Sequence, residues 1–146
     1  MVGLVVALDA AAPVGLAEPG VQVHHAPLGL DAEELGAAQA SVGVDEQAAA
    51  RVVEGLAGEG HIKLSADLGM PAEAARLSAR AAAGLGGLDI VVNNAGIFVT
   101  HDITQLDEAR WQEYWNRTIA INLSGPAHVL QGAIRHLEAA GGGHIV

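Results

Sequence analysis

The chain has 146 residues, 51% hydrophobic and 16% charged, a balance that supports one packed domain and excludes a disordered class. Seventeen acidic side chains against seven basic ones leave a net charge of -10, and no Lys or Arg precedes Arg51, so the clustered cations that hold nucleic acid or an anionic membrane are missing. There is no cysteine, which excludes disulfides, thiolate catalysis and zinc-thiolate sites.

No apolar run approaches the roughly 18 residues of a spanning helix, and Met1 to Leu8 lacks the positive start of a secretory signal. A soluble, cytoplasmic chain is expected. Leu4 to Leu8 and Val21 to His25 read as strands, and Asp31 to Ala40 as a short helix. The residues between those two strands carry Pro13, Gly15, Pro19 and Gly20, and their number is at the lower limit for a parallel crossover. Residues 1–43 are the irregular part of a single domain spanning 1–146. From 44 onward short helices and strands alternate between Gly-containing turns, the pattern of a parallel sheet with crossover helices.

Asp45 to Ala57 is rich in helix formers and stops at Gly58 and Gly60. His61 to Leu68 reads as a strand whose carboxyl end carries Asp67. Pro71 suits the first turn of a helix reaching about Ala83. Leu88 to Val92 (LDIVV) is short, β-branched and followed at once by Asn93, Asn94, Ala95 and Gly96, as a buried strand entering a turn would be. Thr104 and Asp107 are spaced like a capping box. Beyond them Ile119, Leu123, Leu130, Ile134 and Leu137 fall on one helical face, and His144 to Val146 open another strand after Gly141 to Gly143.

The run Asn93-Asn94-Ala95-Gly96 after LDIVV, with Asp67 ending the previous strand and Trp115, then Ile121-Asn122-Leu123-Ser124-Gly125 following, resembles the short-chain dehydrogenase/reductase family over about residues 45–146. The resemblance implies an α/β fold: a doubly wound, Rossmann-type parallel sheet with helices on both faces, here incomplete. It implies an oxidoreductase moving a hydride between NAD or NADP and an alcohol or ketone substrate. Asp67, Leu68, Asn93, Asn94, Ala95 and Gly96 are then the cofactor-binding residues, and Asn122 belongs to the catalytic group.

Taken from the residues alone, Asn93 to Gly96 is either a turn or a ligand site, and Asp67 is either a strand-end or helix-start carboxylate or an adenine contact. Pro126 has no N–H, so in a helix the Asn122 carbonyl loses its i+4 partner. That leaves either an acceptor for the water which the family uses in a proton relay, or merely a helix kink.

Other parts of the family pattern are absent. The first strand-to-helix turn, Asp9 to Leu16, lacks TGxxxGxG and carries an acid where phosphate would lie. The Ser and the Tyr-x-x-x-Lys are not found: the sole Tyr, Tyr114, is followed at that spacing by Thr118, and the sole Lys is Lys63. The chain reads as stopping before those residues, with weak dinucleotide binding and no turnover of its own. Two other readings stay open: a noncatalytic module forming homo-oligomers through the 104–139 helix, and the product of a shifted reading frame. Trp111, Tyr114 and Trp115, at i, i+3 and i+4, either anchor a partner or cover the core. No metal site is expected, because His24 and His25 point to opposite strand faces and His128 and His136 lie two turns apart.

Overall fold

A run such as Ile90, Val91, Val92 has nothing polar to offer solvent on either face, so it belongs inside a sheet covered on both sides. The computed structural model describes residues 3–7, 21–22, 38–42, 50, 53–56, 59–99 and 103–146, with side chains from residue 50 onward except Val99. In chain order the strands are β1 (Gly3–Ala7), β2 (Val21–Gln22), β3 (Ala38–Val42), β4 (Ile62–Leu64), β5 (Ile90–Asn93), β6 (Phe98–Val99) and β7 (His144–Ile145). The helices are α1 (Pro71–Leu85), α2 (Glu108–Ile119) and α3 (Gly125–Ala139), and a π-helical turn, Ala120–Ser124, joins the last two.

Five strands form one sheet in the order β4-β3-β1-β5-β7, and every neighbouring pair is parallel. The chain steps from β1 outward to β3 and β4, then returns to the other side of β1 for β5 and β7. This is the doubly wound, Rossmann-type order, and it puts the topological switch point between β1 and β5. β2 and β6 stand apart as an antiparallel ribbon, Val21 opposite Val99 and Gln22 opposite Phe98.

Pro71 and Glu73 occupy the first turn of α1, where a missing N–H costs nothing and an acid meets the positive helix end. Gly86 stops the helix in the left-handed region at φ 81°, its N–H donating to the Ala82 carbonyl. The buried stripe of α1, Ala74, Leu77, Ser78, Ala81, Ala82 and Leu85, packs with Val129, Ala133 and Leu137 of α3 over Leu88 and Val91. Both helices lie on one face, as right-handed crossovers stepping the same way along a sheet require. The connections 8–37 and 43–61 fall mostly outside the described residues.

Several expectations are corrected. Ala38–Val42 is the strand β3 rather than the end of a helix, because pairing with β1 and β4 outweighs alanine's helical preference. Val21–Gln22 does not join the main sheet, so the crossover from β1 ends at β3 and has all of residues 8–37 to make it. The strand over His61 to Leu68 shrinks to Ile62–Leu64. Within the helix over Asp45 to Ala57, Ala50, Val53 and Glu54 are helical. Most of its other positions, together with Asp9 to Leu16 and the pair His24 and His25, lie outside the described residues.

Helix α2 starts after Asp107, whose carboxylate accepts from the Arg110 N–H at 2.8 Å, so Thr104 is not the cap. The face formed by Ile119, Leu123, Leu130, Ile134 and Leu137 is not the one that packs: Leu137 is buried, but Leu123 and Ile134 are 65% and 49% exposed. The π turn adds a residue and rotates the helix beyond it by about 100°. Val129, Gly132, Ala133 and Leu137 face inward instead.

Candidate functional site

The carboxyl ends of β1 and β5 lie side by side, Ala7 opposite Asn93. The chain leaves β5 there through Asn94, Ala95 and Gly96, all half-buried, and in an open parallel sheet a ligand sits beyond such paired strand ends. Asn93 itself stays in the sheet, its N–H donating to the Val146 carbonyl at 2.8 Å.

Asn122 fastens this loop to the long helical region. Its Oδ1 accepts from the Ile97 N–H and its Nδ2 donates to the Ile97 carbonyl, both at 2.8 Å. One amide thus satisfies both backbone groups of a residue that has left the sheet. Ile97 and Ile121 bury their side chains together beside it. The Asn122 carbonyl sits in the π turn, where the Gly125 N–H donates to the Ala120 carbonyl five residues back and Pro126 has no N–H to give. The usual i+4 partner is therefore missing. Single π turns of this kind recur at functional sites.

The same turn presses on the other half of the site. A Cβ on Gly125 would stand 2.8 Å from the Leu68 carbonyl oxygen and 3.2 Å from the Leu68 Cβ, so a bare backbone is needed for this approach. A Cβ on Gly69 would lie 3.4 Å from the Cγ1 of Ile121. Residues 120–125 therefore touch both the segment after β4 and the loop after β5, which the sequence places far apart.

Asp67 lies beyond β4, not in it. Its Oδ1 accepts from the Gly69 N–H at 2.8 Å, its own N–H donates to Glu73 Oε2 at 2.8 Å, and its carbonyl accepts from the Met70 N–H at 3.0 Å. These bonds make the turn into α1. Leu68 is 5% exposed, with its side chain in the core and its carbonyl against Gly125.

The other candidates are dispersed. Tyr114 is buried on α2, whereas Lys63 is exposed on β4. Trp111 and Trp115 stack with ring centroids 5.7 Å apart and planes 15° from parallel, and Trp115 is half-exposed. Among the described residues no three His, Asp or Glu lie close enough together to hold a metal ion. None of the described helices is long and apolar enough to cross a membrane. Sequence reasoning misses Ile97, Glu73 and Gly125. The Gly-Pro step at 125 and 126 is a signal for the last, while nothing local announces a bond between residues 25 apart.

The sequence profile of the family described as short chain dehydrogenase matches residues 30–146. A D-beta-hydroxybutyrate dehydrogenase from Rhizobium meliloti (strain 1021) is 37% identical over 94 residues, covering 64% of this chain and 35% of that protein. Among solved structures, a metagenomic short-chain oxidoreductase in complex with NADP superposes with a TM-score of 0.61 at 26% identity, covering 78% of this chain and 52% of that one. A blue fluorescent protein from a metagenomic library, in complex with NADPH, gives a TM-score of 0.59 at 28% identity over 70% of this chain and 42% of the other. The chain thus spans about a third to a half of the length of these relatives.

Proposed function

The chain belongs to the short-chain dehydrogenase family, and from that premise we propose that it is the dinucleotide-holding part of an NAD(P)-dependent oxidoreductase acting on alcohol and carbonyl groups. The observation that carries this reading is the meeting of Asn122 with the Asn93–Ile97 loop at the switch point. The two relatives solved with NADP or NADPH support the choice of ligand.

The residues present fit such a group in part. Gly96 leaves open backbone beside the Asn122 side chain, a Cβ there falling 3.5 Å from Oδ1, so a flat ring can approach closely. Asp67 and the Leu68 main chain stand past the end of β4, where a base edge can be recognised by a carboxylate and a backbone N–H. The pyrophosphate is served poorly, because the sequence between β1 and β2 has Asp9 and no TGxxxGxG. A bound nicotinamide would supply or take the hydride. The chain's own contribution is to orient it and, through the Asn122 carbonyl, to hold a water. With Tyr114 buried on α2 and Lys63 exposed on β4, no Tyr-x-x-x-Lys stands at the site to complete a proton transfer.

Titration of the 146-residue protein with NADH and NADPH, followed by turnover assays with small alcohols and ketones, tests this. Weak binding without turnover is expected. Rapid turnover by this chain would overturn the inference drawn from the missing Tyr and Lys.

A second reading, a noncatalytic module that self-associates through residues 104–139, is favoured by the outward apolar residues Trp115, Leu123 and Ile134. It predicts a dimer by light scattering that Trp111→Ala with Trp115→Ala dissociates. A monomer with both tryptophans intact would sink it.

A further inference from the structure

Asp67 sits between the end of β4 and the start of α1, and α1 reaches back to this stretch of main chain twice. Arg80 Nη1 donates to the Ser65 carbonyl at 2.8 Å, and Glu73 Oε2 accepts from the Asp67 N–H at 2.8 Å. The two side chains stand seven residues apart, on one face of the helix, and both are exposed. Between their anchor points lies Ala66, 3% exposed.

Glu73 departs from the usual work of an acid at the third position of a helix. In a capping box such an acid bonds the N–H of the residue just before the helix. Here that residue is Met70, its N–H donates to the Asp67 carbonyl at 3.0 Å, and Glu73 passes over it to Asp67. Asp67 Oδ1 in turn accepts from the Gly69 N–H at 2.8 Å. A Cβ on Gly69 would stand 3.1 Å from that oxygen, so the glycine gives the carboxylate its room. The other oxygen, Oδ2, has no hydrogen bond among the described residues.

We propose that Glu73 is a positioning residue: by holding the Asp67 N–H it sets the direction of the Asp67 carboxylate, and with it a preference of this site for a 6-aminopurine. The inference rests on the dinucleotide reading above. A carboxylate only accepts, so it matches an exocyclic amino group and opposes a carbonyl oxygen, and a polar mismatch of that kind discriminates between ligands. Residue 67 lies outside both β4 and α1, so no sheet or helix bonding fixes its backbone torsions, which decide where its side chain points. Glu73 acts through Asp67 rather than on the base.

The test compares NADH with its hypoxanthine counterpart, in which a carbonyl replaces the 6-amino group, by fluorescence titration of the unaltered protein, Glu73→Ala and Glu73→Gln. The unaltered protein should prefer NADH. Glu73→Ala should weaken NADH binding about threefold to tenfold and leave the hypoxanthine dinucleotide unchanged, so the preference falls by the same factor. Glu73→Gln keeps an acceptor oxygen and should keep the preference. A preference that persists in Glu73→Ala overturns the role of Glu73. So does an equal loss for both dinucleotides, the mark of a general loosening that a urea melt also registers. Loss of the preference in Glu73→Gln overturns the hydrogen bond as its cause. Absence of NADH binding by the unaltered protein overturns the dinucleotide reading, and binding without preference overturns adenine recognition at Asp67; in either case the role of Glu73 goes with it.

Discussion

Helices α1 and α3 meet along a seam with no large side chain from α3 at its centre, whereas a few residues earlier the same helical run gives up its regular hydrogen bonding to form the π turn. The seam is buried: Ala74, Ala81 and Ala133 are fully buried, and the buried Ser78 hydroxyl donates to the Val129 carbonyl at 2.8 Å. The π turn is partly exposed, and its contacts go to loops rather than to another helix. Close packing of small residues stabilises the first region. In the second, regularity is sacrificed where Asn122 meets Ile97 and the Gly125 backbone meets Leu68. Stability and ligand binding are therefore expected to separate along one continuous helix.

The largest effect should come from filling the seam. A Cβ on Gly132 would run into the backbone carbonyl of Ala75, so the helices must move apart to admit it. Helix propensity alone makes Gly132→Ala stabilising by about 1 kcal/mol, while overpacking costs about 1–3 kcal/mol. The sign decides between them, and net destabilisation in urea melts is expected. Gly132→Val, with more bulk and poorer propensity, should lose about 3 kcal/mol or more. A stabilised Gly132→Ala would show that the seam is looser than its contacts indicate.

Next in size is Asn122→Ala, which strands both backbone groups of Ile97. At about 0.5–1.5 kcal/mol net for each hydrogen bond, a loss of about 1–2 kcal/mol is expected, together with lost NADPH binding. Asn122→Asp sharpens the test: it keeps the acceptor for the Ile97 N–H but turns an oxygen toward the Ile97 carbonyl, and it should not restore stability. Restoration would mean that the donor half of the pair contributes nothing.

These two regions are unequally legible in the sequence. The framing of α1 by Pro71 and Gly86, and the burial of Val91 and Val92, follow from local chemistry, and both can be read nearly in place. The sequence Ala38–Val42 (AQASV) has no clear alternation, and only its neighbours β1 and β4 make it a strand. The π turn hides in the same way. Periodicity carried through residues 119–137 assumes an unbroken helix, so one extra residue moves Leu123 and Ile134 outside. Of the site, the Asn93–Gly96 turn and the special backbone at Asn122 and Pro126 can be read, but the bond that joins them spans too much chain for any local signal.

Ser78→Ala tests the polar element of the seam at a smaller scale. The hydroxyl is fully buried and bonded to the Val129 carbonyl, so its loss should cost about 1 kcal/mol, less than filling Gly132 and without effect on NADPH affinity. A fall in affinity would mean that the seam and the site are coupled through α3.

The smallest effect on stability, and the sharpest separation, is expected at Gly96. An added Cβ meets Asn122 Oδ1 at 3.5 Å, an ordinary contact, and the glycine is not among those with positive φ. Gly96→Ala should therefore change stability by no more than about 0.5 kcal/mol. On the dinucleotide reading the backbone of this loop faces the ligand, so NADPH affinity should fall severalfold while the urea midpoint stays put. If affinity and stability fell together, Gly96 would belong to the scaffold. If neither moved, the open backbone at the end of β5 would not be a ligand-facing surface, because a ring lying against it could not accommodate the added methyl group without loss.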